Sequence, residues 1–98
     1  MDLFMIRRND GWKTGEELEA AAKRSTEVAE SDFPDSIRWI RSYVVSEPSG
    51  DLGTVCIYEA SDADAVRAHA DEVGMPASEV LSIVDTVIVR PDPQAAAA

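Results

Sequence analysis

Cysteine and histidine are nearly missing: the 98 residues hold one of each, Cys56 and His69. A single cysteine excludes an internal disulfide and fits a reducing cytosol. Positive charge is also sparse. Nine Lys and Arg against nineteen Asp and Glu leave a net charge of −10. Such a surface repels phosphate backbones and anionic bilayers, so neither nucleic acid nor membrane is an expected partner. No apolar run approaches the ~20 residues that cross a bilayer. Arg7 and Arg8 follow a short apolar run, the reverse of a secretory leader, and the expected location is cytoplasmic. The glycines form no phosphate-cradling loop, and no zinc spacing, serine triad or dinucleotide fingerprint is present. These gaps leave no catalytic constellation, and they do not by themselves decide whether the chain is an enzyme.

What is present reads as one domain over residues 1–90, followed by a disordered tail over 91–98 rich in proline and alanine. Asp2–Arg8 is apolar on both faces, which predicts a strand interior to its sheet. Asn9-Asp10-Gly11 is a turn signal. Thr14 with Glu17 forms a capping box that opens a helix over about 15–30. The alanines of that helix permit close approach to a sheet, and Ser25 sits in the apolar stripe. Ile37–Ser46 and Thr54–Glu59 are strands joined by a hairpin loop over 47–53. Ser61 with Asp64 caps a second helix that stops at Gly74. A last valine-rich strand is expected over Glu79–Val89, bent at Asp85-Thr86.

Strand–helix–strand–strand–helix–strand is the order of an α+β, ferredoxin-like βαββαβ sandwich: an antiparallel sheet with two helices on one face. Strict alternation places Trp39, Arg41 and Tyr43 on one face of the second strand and Ile40 and Val44 on the other. Cys56 and Tyr58 likewise oppose Val55, Ile57 and Glu59. The aliphatic face is then the one for the helices to cover. The face of Trp39, Arg41, Tyr43, Cys56 and Tyr58 is left for a dimer interface or a ligand pocket. Two such faces meeting would make a homodimer of the dimeric α+β barrel kind.

Five segments in this order resemble a known family. They are Phe4-Met5-Ile6-Arg7-Arg8, Arg38-Trp39-Ile40-Arg41-Ser42-Tyr43, Cys56-Ile57-Tyr58-Glu59-Ala60, Val66-Arg67-Ala68-His69-Ala70 and Gly74-Met75-Pro76-Ala77. The family comprises short actinobacterial-type proteins, once a domain of unknown function and later described as nickel-binding and ferredoxin-like. The resemblance implies a homodimer that binds nickel at its surface, for sequestration, with no organic cofactor and no known catalysis.

The residues that could carry chemistry each have a plain structural alternative. His69 lies three residues before Glu72, so the two share a helix flank and could supply one nitrogen and one oxygen to a metal such as nickel. The alternative is a flank histidine paired to Glu72 or capping the sheet edge. Cys56 could be a soft ligand or a nucleophile, or simply a small buried residue. Arg41 could hold a carboxylate or enolate, with Tyr43 or Tyr58 donating a proton, or these side chains could be interface packing. The acidic residues at the start of both helices are explained by the helix dipole.

Overall fold

The computed structural model describes residues 1–93. Its elements are β1 (Asp2–Trp12), α1 (Gly15–Asp32), β2 (Ile37–Ser46), β3 (Leu52–Ala60), α2 (Ala63–Val73) and β4 (Glu79–Ser82). The strands form one antiparallel sheet in the order β2-β3-β1-β4, so β1 is interior, as its two apolar faces predict. Both helices lie on the Tyr58 side. Ser25 of α1 reaches the Tyr58 hydroxyl, and the His69 ring of α2 packs edge-on against the Tyr58 ring. Phe4, Ile6, Ile37, Cys56, Tyr58, Ala60 and Val66 form the core between sheet and helices.

The helix ends follow local chemistry. Thr14 is extended and its hydroxyl accepts from Glu17 N at 3.2 Å, while the Glu17 carboxylate accepts from Lys13 N at 2.9 Å. One of the four orphan N–H groups of the terminus, that of Glu17, is thereby satisfied, and so is the Lys13 N–H just before the cap. The cap of α2 is Asp62 rather than the expected Ser61, because Asp62 is the extended residue and its carboxylate accepts from Ala65 N at 2.8 Å. Gly74, at φ 82°, closes that helix in the left-handed conformation glycine tolerates. No basic residue stands in the last turn of α2. The cation that suits a helix C-terminus comes instead from α1, where Arg24 donates to the Val73 and Glu72 carbonyls, each at 2.9 Å.

Two irregularities decide which side chains share a face. The expected turn at Asn9–Gly11 is a bulge within β1: Arg8 opposes Thr54 and Trp12 opposes Leu52, so β1 spends extra residues there. Asp10 takes φ 50°, a conformation aspartate visits more readily than most residues. The bulge directs Asp10 N at the Glu47 carboxylate, 2.9 Å away, which also accepts from Arg7. The Asp10 N–H first and the Arg7 guanidinium second hold the Glu47 carboxyl below its usual range. Gly53, in β3 rather than in the predicted loop, leaves room for this buried carboxylate. A Cβ there would collide with the Glu47 carboxylate and stand 2.7 Å from the Arg8 carbonyl oxygen. Gly53→Ala is therefore expected to cost about 1–3 kcal/mol, read as a lower urea midpoint with an unchanged slope.

The second irregularity is in β2. Trp39 opposes Tyr58 and Arg41 opposes Ile57, which leaves Ile40 as an inserted residue. One extra residue reverses the alternation beyond it. Trp39, Ser42 and Val44 consequently sit on the helix side with Tyr58, Cys56 and Thr54. Arg41 and Tyr43 sit on the opposite side with Ile57 and Val55. The expected single face of Trp39, Arg41, Tyr43, Cys56 and Tyr58 is thus divided. The covered face is also the reverse of the one predicted: the helices lie over Cys56 and Tyr58, and Val55 and Ile57 face away from them.

The last strand is shorter than predicted, ending at Ser82 instead of Val89. Ile83 N still reaches the Leu3 carbonyl at 2.9 Å, but β1 begins at Asp2, so the run beyond has no strand left to pair with. Residues 83–93 form an irregular arm across the open face, and Asp92 meets Tyr43 and Arg41 of β2. Of the tail expected over 91–98, residues 94–98 lie outside the described residues.

Candidate functional site

Helix α1 buries only Ser25. Its alanines were expected to allow close packing; their small side chains instead leave hollows on either side of the Ser25–Tyr58 contact. One, of about 240 Å³, lies between Ala21 and Ala22 above and Thr54, Cys56 and Val44 below. The other, of about 400 Å³, is bounded by Ala29, Ile37 and His69. Ser25, Trp39 and Tyr58 border both.

The floor of the smaller cleft is a directed hydrogen-bond chain. An indole can only donate, so Trp39 Nε1 gives its proton to Ser42 Oγ at 2.8 Å. Ser42 then donates to Cys56 Sγ at 3.0 Å, and Cys56 donates to Thr54 Oγ1 at 3.3 Å. Cys56 is buried and held in this relay. At its far end stands Arg8, 1% exposed, which donates to the Pro76 carbonyl at 2.7 Å and to Tyr58 Oη at 3.4 Å. Its guanidinium also lies 5.7 Å from the Tyr58 ring centre. Arg8 belongs to the register of Phe4 and Ile6, and that spacing was the signal that its side chain points inward.

His69 is fully buried rather than on the helix flank. It packs edge-on against Phe33 as well as Tyr58. Its Nε2 lies 3.0 Å from the Ser25 carbonyl, which can only accept, so Nε2 carries the proton. The unprotonated Nδ1 has no partner among the described residues. Burial first, and also the Arg8 charge, hold the imidazole below its ordinary value, although the Ser25 bond opposes them.

Glu72, one turn further along α2, is exposed and is not joined to His69. Its carboxyl shares a hydrogen bond with Asp32 at the end of α1, which raises it above the usual carboxylate range. Asp32 was not singled out from the sequence, since only the packing of α1 on α2 brings it there. Among the described residues no group of three or more His, Cys, Asp or Glu side chains could enclose a metal.

On the open face Arg41 is exposed, donates to Asp92 at 3.0 Å, and lies 3.4 Å from the Tyr43 hydroxyl. Tyr43 donates to the same carboxylate at 2.9 Å. Arg41 therefore already has an acid, supplied by the arm. A cleft of about 1000 Å³ separates the arm from Leu3, Ile40, Tyr43 and Ile57.

The sheet order, the two helices on one face and the open second face define a ferredoxin-like α+β sandwich. The chain belongs to the family described as nickel responsive protein, SCO4226-like, which matches residues 4–83 and so ends where the arm begins. Among solved structures it is similar to SCO4226 from Streptomyces coelicolor A3(2), with a TM-score of 0.68 and 19% identity over 87% of this chain and 99% of that one. At that identity the likeness is one of fold. No curated protein matches the chain. No helix among the described residues is long and apolar enough to cross a membrane.

Proposed function

We propose that this protein is a cytoplasmic nickel-binding protein that acts as a homodimer and sequesters the ion at its surface. The observation that supports it is membership, over residues 4–83, of a nickel-responsive family. The donors present fit such an ion in part. Glu72 and Asp32 place two carboxyl groups side by side on an acidic chain of net charge −10, and the closeness that raises the Glu72 carboxyl is one that a divalent cation would relieve. Nickel accepts mixed oxygen and nitrogen ligands, and two carboxylates leave most of its shell to water or a second copy. The reading is therefore weak, exchangeable surface binding rather than an enclosed centre. His69 has the right atom in its bare Nδ1 but is buried, so the proposed surface ligand is Glu72.

Calorimetric titration of the tag-free protein with nickel chloride tests this. Glu72→Gln and Asp32→Asn are each expected to weaken binding about tenfold or more. His69→Gln is expected to leave the isotherm unchanged. Because proton and metal compete for a carboxyl whose pKa is raised, binding should fall on acidification before an ordinary carboxylate would protonate. Equal isotherms for the parent and both carboxylate variants reject the Glu72–Asp32 site.

The dimer rests on the open face. Ile40, Tyr43 and Leu81 are exposed there, and in the arm Val84 is 96% exposed with Val87, Ile88 and Val89 close behind. In a single copy only the irregular arm lies over this face, and both the sheet side chains and the valines of the arm stay exposed. A second copy placed face to face covers both sheets at once, in the closed, isologous manner usual for homodimers.

A further inference from the structure

We infer that the cleft between α1 and β3 is a binding site for a small monoanionic organic acid, whose carboxylate is held by Arg8 and Thr54. This site is independent of the nickel reading and lies on the other face of the sheet from the proposed dimer contact.

Arg8 carries the argument. A guanidinium that is 1% exposed should have an acid beside it, since burying an uncompensated ion costs several kcal/mol. Among the described residues Arg8 has none. Its partners are one carbonyl and one phenol, which leave three of its five N–H groups without an acceptor. The neighbouring hydroxyls add to this surplus of donors. Along the relay Ser42 donates to Cys56 and Cys56 donates to Thr54, so Thr54 receives a proton and its own O–H finds no acceptor among the described residues. Tyr58 and Ser25 stand 3.3 Å apart and share one proton between them, which frees the other hydroxyl hydrogen. Donors, one fixed positive charge and no acid converge on one end of the cleft.

The remaining walls define the rest of the ligand. Trp12, Leu18, Ala21, Ala22, Val44 and Met75 are apolar, and they suit an alkyl or aromatic body. One guanidinium balances one negative charge, and Glu19 at the rim opposes a second. A carboxylate fits this better than a phosphate dianion, because its two oxygens match the planar fork of arginine.

Octanoate is the test ligand, with octanol and octylamine as controls of equal chain length. Both tryptophans of the chain border the cleft, so their emission reports occupancy. Octanoate should change the emission saturably and raise the melting temperature; the two controls should do neither. Arg8→Met should weaken octanoate binding at least tenfold while the ligand-free variant melts no lower than the parent, because it removes a buried, unbalanced charge. Thr54→Val, which keeps the volume, should weaken binding several-fold and serves if Arg8→Met does not fold. Equal responses to octanoate and octanol, or unchanged octanoate affinity in Thr54→Val and in a folded Arg8→Met, overturn the proposal.

Discussion

Replacing Ile57 with aspartate is expected to convert the proposed dimer into a folded monomer, seen as a halved mass in sedimentation equilibrium with an unchanged far-ultraviolet spectrum. Ile57 lies in β3 opposite Met5 and Arg41, on the face away from the helices. The substitution therefore leaves the core of Phe4, Ile6, Tyr58 and Val66 untouched. In a two-fold interface the same substitution enters twice, so two carboxylates lose water in one contact. Arg41 across the strand is already taken by Asp92, and a buried charge without a partner of its own costs about 3–5 kcal/mol, while each 1.4 kcal/mol is a factor of ten in dissociation constant. A weakening of at least a hundredfold follows. Each copy also carries a net charge of −10, so the parent should associate more tightly as salt screens that repulsion. A parent that sediments as a monomer at every salt concentration, or an Ile57→Asp dimer as tight as the parent, removes the dimer from the reading.

The division of β2 between two faces shows where sequence reading reached its limit. The caps at Thr14 and Gly74, the helices and the strand order all depend on local spacing, and all were legible. Which face of the sheet the helices cover was not. Hydrophobicity favours hiding Val55 and Ile57, but Thr54, Cys56 and Tyr58 are buried instead, because a relay from Trp39 and contacts from Ser25 satisfy their polar atoms. Nor does a single inserted residue at Ile40 announce itself, since no glycine or proline marks the bulge. It was enough to send Arg41 to one side and Trp39 to the other. The Val84–Val89 run carried a strand's composition without a strand's partner, and pairing depends on the neighbour as much as on the residues. Asp32 and Arg8 belong to the same class. Their significance comes from the groups that lie beside them in the fold, and only the fold brings those groups together.

His69 should make this protein lose stability as the pH falls from neutrality into the mildly acidic range. An unfolded histidine titrates near about 6.5. In the fold, burial and the Arg8 charge hold the imidazole below that value. Above the unfolded pKa neither state takes up the proton, and the contribution of the neutral, packed ring is fully present. Below it the unfolded chain binds a proton that the folded one refuses. Stability then drops by at most about 1.4 kcal/mol per pH unit, and the loss ends as the pH passes the folded value. The Glu47 carboxyl, held below its usual range, acts only at lower pH, while the raised Glu72 carboxyl takes up its proton earlier and acts with the opposite sign, so the difference between the parent and a His69 variant isolates the imidazole. Urea unfolding at pH 7.5, 6.5 and 5.5 should show this slope in the parent and not in His69→Gln, whose amide can still donate to the Ser25 carbonyl. A parent whose change between pH 7.5 and 5.5 equals that of His69→Gln contradicts a neutral, buried imidazole. The same measurement in saturating octanoate tests whether the cleft and His69 are electrostatically linked. A carboxylate against Arg8 offsets the positive charge that helps keep His69 neutral, so the bound protein should lose less stability on acidification than the free one.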